Sequence, residues 1–183
     1  MNITPNNKGK GRKVTSNVNN ITNINTNILP INIPHNQNTL YKGKYLKIGT
    51  HNVRGFTEES KQDEMLDEYI NNNIDIIGIT ETKINKKNSK NILKNKKNNK
   101  YKSWWTGLDK ETKTGGVGIL VKEGLDKHVT NITHKKGHLI SVDMKFKGAN
   151  TTRIINIYIN CNDKEKSERE DLLNDLKDLI TEG

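Results

Sequence analysis

The sequence predicts an α/β fold, and three observations carry that expectation. The first is the stretch from Tyr45 to Lys83, which reads as strand, helix, strand: YLKIGTHNVRGF, then EESKQDEMLDEYINNN, then IDIIGITETK. The second is a glycine-headed apolar run, Gly115 to Val121, followed by two runs of strand composition, HLISVDMKF and TTRIINIYIN. The third is SEREDLLNDLKDLI, whose leucines recur at helical spacing.

Residues 1–43 read as a disordered tail ahead of a domain spanning 44–183. The tail is asparagine-rich, holds all three of the chain's prolines, and scatters its apolar residues among polar ones; such tracts do not bury enough apolar surface to pack. Hydrophobic residues make up 31% of the chain. That low figure fits partial disorder, and also an AT-rich coding sequence, whose codons favour Asn, Lys and Ile. The basic cluster Lys8–Lys13 reads either as a nucleic-acid or localisation signal or as a solvated tail.

In the first strand of the domain, Leu46, Ile48, Thr50 and Asn52 share a face by period-two alternation. In the next, Ile77, Ile79 and Glu81 do the same. The connection is long enough for a helical crossover, so the strands should be parallel neighbours with their carboxyl ends at one edge. Ligands bind at that edge in open α/β sheets, which sets Asn52 and Glu81 side by side at the mouth of a cleft. The crossover helix is expected from near Ser60 to about Asn71, with Met65, Leu66, Tyr69 and Ile70 as its apolar stripe and Ser60 with Asp63 as a capping box.

The net charge of +10 is unevenly distributed. Residues 1–47 carry seven basic side chains and no acidic ones. Lys83 to Lys102 holds nine lysines and no acid, leaving the remainder of the chain net acidic. Of these, Lys83, Lys86, Lys87, Lys90, Lys94, Lys96, Lys97 and Lys100 are the candidate nucleic-acid contacts, since such a patch neutralises phosphates and releases counterions. A solvated loop of codon-driven lysines is the competing reading.

Trp104 and Trp105 on YKSWWTG can stack on a base, but a tryptophan pair on a strand more simply places one ring in the core and one at its edge. Gly115-Gly116-Val117-Gly118 lacks phosphate-loop spacing and reads as a strand whose glycines admit a neighbouring layer. His134 and His138 have a zinc-like spacing, but a turn signal lies between them and no third ligand supports a site. HLISVDMKF and TTRIINIYIN form an antiparallel pair around a turn at Lys147–Asn150, the second strand ending at Tyr158. The last helix opens on a Ser167–Glu170 capping box, and Leu172, Leu173, Leu176, Leu179 and Ile180 mark its apolar face. One cysteine, Cys161, excludes an internal disulfide framework and points to a reducing, intracellular compartment. No apolar run reaches membrane-spanning length, so no membrane partner is expected.

Thr50-His51-Asn52-Val53-Arg54-Gly55 resembles the T-W-N-V-R-G opening of the endonuclease/exonuclease/phosphatase superfamily. Asp75 to Thr82 resembles its second motif, an apolar strand ending in the metal-binding glutamate. The nearest likeness is to the apurinic-type endonucleases of non-LTR retrotransposons, with His51 standing where that family has tryptophan. The resemblance implies a DNase I-like four-layer α/β sandwich, here partial, that cuts phosphodiesters with Mg2+ or Mn2+. It implies Glu81 and Asn52 as metal and catalytic residues, DNA as the partner, and a nuclear location for a retroelement endonuclease. A Gly-Gly strand occurs at the same point in the family, and a later strand ends in Tyr-Ala-Pro-Asn, whose tyrosine holds the scissile phosphate. Tyr158 matches that tyrosine, whereas Ile159-Asn160-Cys161 lacks the proline.

Phosphodiester hydrolysis needs a cation for developing charge, a base for the attacking water, and donors for the phosphate. Glu81 with the amide oxygen of Asn52 offers oxygen ligands of the kind a hard cation prefers. The family's Gly-Asp-Phe-Asn and its base-supplying Ser-Asp-His do not occur in the 183 residues. The expectation is therefore the N-terminal part of an endonuclease domain, truncated before its second catalytic half and inactive by itself. The alternatives are a noncatalytic nucleic-acid binder, or the same fold acting on an inositol phosphate or phospholipid head group.

Overall fold

The computed structural model describes residues 25–30, 45–94, 96–107, 115–135, 137–160 and 166–181. Among them the chain runs β1 (Asn25–Pro30), β2 (Tyr45–Asn52), α1 (Glu59–Asn71), β3 (Ile76–Thr80), β4 (Tyr101–Thr106), β5 (Val117–Lys122), β6 (Val129–Lys135), β7 (Leu139–Lys145), β8 (Thr151–Ile157) and α2 (Lys166–Thr181). The crossover places β2 and β3 side by side and parallel, Ile48 facing Ile76 and Asn52 facing Thr80. They form the middle of a five-stranded sheet ordered β1-β2-β3-β5-β4, in which every other pairing is antiparallel. A second sheet, β6-β7-β8, is antiparallel throughout. Its β7–β8 hairpin turns at Lys147–Asn150 as expected, with Gly148 at a φ of +76°.

Alternation along each strand sorts the apolar residues into layers. Ile76, Val117, Ile119 and Val121 of the first sheet meet Ile140, Val142 and Met144 of the second, with Leu46 and Phe146 closing the same cluster. On the opposite face of the first sheet Ile77, Ile79 and Leu120 pack beneath Met65, Leu66 and Tyr69 of α1. On the outer face of the second sheet Leu139 packs beneath Leu172 and Leu179 of α2. Helix, sheet, sheet, helix is the four-layer sandwich.

Several local expectations resolve differently. Within the expected tail, Asn25–Pro30 forms a strand antiparallel to β2, which satisfies backbone groups that β2 would otherwise expose; the rest of that tail lies outside the described residues. The Ser60–Asp63 capping box does not form. Helix α1 already begins at Glu59, Gln62 N–H bonds to Glu58 O at 3.1 Å, and Ser60 Oγ turns to Glu58 Oε1 at 2.9 Å. Ser167 likewise sits inside α2, one residue past its start. Both tryptophans are half-buried because β4 is an edge strand: Trp104 leans on the inter-sheet cluster and Trp105 on the cluster beneath α1, stacked on Phe56 at 5.4 Å. Gly118 accommodates the Trp105 ring of its own sheet, not a neighbouring layer. The close approach between sheets occurs at Gly78, where a Cβ would overlap Asn156.

Candidate functional site

Beyond the last registered pair of β2 and β3 the two chains stay stitched together. Val53 N–H donates to Thr80 O at 3.0 Å, Gly55 N–H to Glu81 O at 2.7 Å and Phe56 N–H to Thr82 O at 2.8 Å. Buried Val53 and Phe56 pin the first loop to the core beneath α1. Thr82 and Lys83 donate their N–H groups to Gly116 O and Gly115 O, both at 3.0 Å, and Gly116 N–H donates to Gly137 O of the second sheet's loop. Gly116 has a φ of +78°, and any Cβ there would strike Thr82 Oγ1, so the turn requires glycine.

At this edge Asn52 donates from Nδ2 to Glu81 Oε1 at 2.9 Å and accepts the Arg54 N–H on Oδ1 at 3.2 Å. The pairing forms by a route that simple alternation misses. Leu46 and Ile48 pack toward the second sheet and Ile77 and Ile79 toward α1, so a straight continuation of β3 would point Glu81 away from Asn52. Glu81 instead has a φ of +54°, a left-handed conformation that costs a non-glycine residue about 1–2 kcal/mol, and its carboxylate comes round to Asn52. Arg54 (+49°) and Lys83 (+54°) share that conformation; both are exposed, and neither forms an ion pair among the described residues. Strained backbone concentrated at one edge is characteristic of functional sites.

Asn52 thus uses its amide to orient the carboxylate. The amide oxygen expected as a metal ligand already accepts one hydrogen bond and keeps a single lone pair for a cation. Among the described residues no cluster of three or more His, Cys, Asp or Glu side chains surrounds a cation position. Glu81 alone meets the minimum for magnesium, which takes one or two protein carboxylates and completes its shell with water and phosphate oxygens.

His51, in the tryptophan position, is buried, and its Nδ1 shares a 2.8 Å hydrogen bond with the Tyr69 hydroxyl of α1. Burial first, and the nearby Lys61 charge second, hold its pKa below the usual histidine range, so the ring is neutral. Burial raises the Tyr69 hydroxyl likewise. The ring therefore ties the residue before Asn52 to the helix layer.

Tyr158 follows β8 directly, donates its N–H to His138 O at 2.8 Å, and lies parallel to the His138 ring at 6.2 Å. Two residues earlier on the same face, Asn156 donates to Ile79 O and Gly118 O, each at 2.9 Å. The backbone bonds from Thr82 through Gly116 to Gly137 therefore put Tyr158 at the same edge as Glu81. Arg54 and Asn156 had drawn no functional reading from the sequence. The one signal for Asn156 is a carboxamide in an otherwise apolar stretch, two positions before Tyr158.

The lysine loop is anchored. Ile84 and Leu93 are buried beneath the α1 layer and Ile92 packs beside them, with a short 3-10 turn at Ser89–Asn91 between. Lys83, Lys86, Lys87, Lys90, Lys94, Lys97 and Lys100 are exposed along it. Lys96 departs from the expected set: its ammonium bonds to Asp63 Oδ2 at 2.8 Å and Glu59 O at 3.0 Å, because the loop folds back on the acidic start of α1.

No family model matches the chain, and no curated protein matches it. Among solved structures it is similar to a D. rerio TDP2 humanised by 14 mutations, with a TM-score of 0.51 and 15% identity over 75% of this chain and 57% of that one. It is also similar to the AP endonuclease LMAP from Leishmania major, with a TM-score of 0.50 and 12% identity over 73% of this chain and 46% of that one. The chain spans about half the length of these structures, and the likeness establishes a shared DNase I-like fold.

Proposed function

We propose that this chain is the metal-binding part of a divalent-cation-dependent phosphodiesterase of the retroelement endonuclease type, acting on DNA in the nucleus. The observation that carries the reading is the Asn52 Nδ2–Glu81 Oε1 bond of 2.9 Å at the carboxyl edge of two adjacent parallel strands. Its support is a fold shared with a protein described as an AP endonuclease. Glu81 would hold Mg2+ or Mn2+, which supplies neutralisation of charge developing on a phosphate. Asn52 orients that carboxylate, the Tyr158 hydroxyl donates to a phosphate oxygen, and the exposed loop lysines neutralise flanking phosphates. The DNA assignment rests on that lysine surface. No aspartate-paired histidine stands at this edge among the described residues, so the 183-residue chain by itself should turn over little or nothing.

Incubating the purified chain with plasmid or abasic DNA and Mg2+ tests the inactivity: nicking that vanishes in Glu81→Ala would overturn it. Mn2+ titration followed by electron paramagnetic resonance tests the cation. Binding lost in Glu81→Ala is expected, and no binding by the wild type would remove the metal reading. A second reading, a noncatalytic nucleic-acid binder, is favoured by the lysine loop being anchored by Ile84 and Leu93. DNA binding that persists unchanged in Glu81→Ala without any Mn2+ binding would select it.

A further inference from the structure

Asn156 is a buried polar residue close to this edge that the proposed chemistry does not use. It belongs to the second sheet, yet its amide nitrogen bonds the carbonyls of Ile79 and Gly118 in the first. Those two residues face each other at the last registered rung between β3 and β5. Both partners are acceptors, so only the NH2 end of the carboxamide can face them, and both of its hydrogens are engaged. Gly78 makes the approach possible, since a Cβ there would occupy the carboxamide's place. Two residues beyond Ile79 the chain turns left-handed at Glu81, and it rejoins the β5 side through Thr82 N–H to Gly116 O. The Asn156 clamp is thus fixed immediately before the turn that aims the carboxylate.

We infer that Asn156 is a positioning residue for Glu81, clamping the ends of β3 and β5 from across the sheet interface so that the left-handed turn keeps its shape. The functional weight of the clamp rests on Glu81 being the cation ligand; the clamp itself does not. Asn156→Leu retains the volume and removes both donors. Amide hydrogen exchange on the metal-free chain should show Gly55, Thr82 and Lys83 exchanging at least about tenfold faster than in the wild type, with Ile140 and Val142 of β7 unchanged. Uniform acceleration, or none, overturns the clamp. Asn156→Ser, which keeps a shorter donor, gives the same comparison should the leucine variant not fold. Mn2+ affinity in the same variants should fall about tenfold, as for outer partners of metal ligands, and an unchanged affinity breaks the link to Glu81. A wild type that binds no Mn2+ removes the cation reading and leaves the exchange rates to decide the clamp.

Discussion

The two helices cover their sheets very differently. Beneath α1, Met65, Leu66 and Tyr69 join Val53, Phe56, Ile77, Ile79 and Leu120, and the lysine loop adds Ile84 and Leu93. Beneath α2, Leu172 and Leu179 are buried against Leu139, Leu176 is half-buried, and Leu173 and Ile180 stay exposed. The polar ties of α2 to its sheet include Lys135 to Asp175 at 3.0 Å and Arg153 to Leu179 O. Asn52 and Glu81 stand on the densely covered sheet. The contrast teaches that α2 is the layer able to open first under native conditions, while the sheet carrying the pair stays covered.

Cavity-forming substitutions give the largest test of that contrast. Leu66→Ala should destabilise by about 2–5 kcal/mol, with Leu172→Ala near or below the lower end of that range, as read by urea unfolding. The reverse order would break the comparison. The two sides should also separate by pH. Folding favours neutral His51, so the unfolded chain protonates first; this stability is present above the ordinary value of 6.5 and is lost as pH falls through the lowered folded pKa. On the α2 side the hydrogen bond from Arg153 lowers the Asp143 pKa against an opposing desolvation, so its contribution is present above 3.8 and is lost only at lower pH. His51→Phe should flatten the stability profile below about pH 6.5 and Asp143→Asn the more acidic limb; a single variant flattening both limbs would mean that the layers titrate as one.

Smaller effects sharpen the picture at the surface. Lys97→Gln should reduce the slope of log K for DNA against log salt by about 0.9, the value for one phosphate contact. Lys96→Gln should leave the slope unchanged and cost at most about 1 kcal/mol of stability, because its partner is Asp63. Ile180→Ser, on the exposed side of α2, should stay within about 0.5 kcal/mol of wild type.

The parallel pair β2–β3, the crossover helix and the β7–β8 hairpin were legible because each follows from local periodicity and connection length, and these put positions 52 and 81 at one edge without giving the turn that joins their side chains. What stayed hidden depends on partners distant in sequence. Strand β1 is recruited by an open edge that its own composition does not announce. Lys96 looks like its neighbouring lysines until the loop folds back on α1. Asn156 acquires its role only when Gly78 leaves room across the interface. The left-handed turn at Glu81 is invisible in a sequence that offers glutamate, not glycine, at that position.

That glutamate carries a consequence for anyone evolving the protein. Glycine adopts the backbone angles of position 81 freely, so Glu81→Gly should relieve strain worth about 1 kcal/mol while deleting the carboxylate. If Glu81 holds the cation as proposed, a heat-challenge screen run blind to cation binding would enrich that replacement, and the hardiest survivors would be chemically empty.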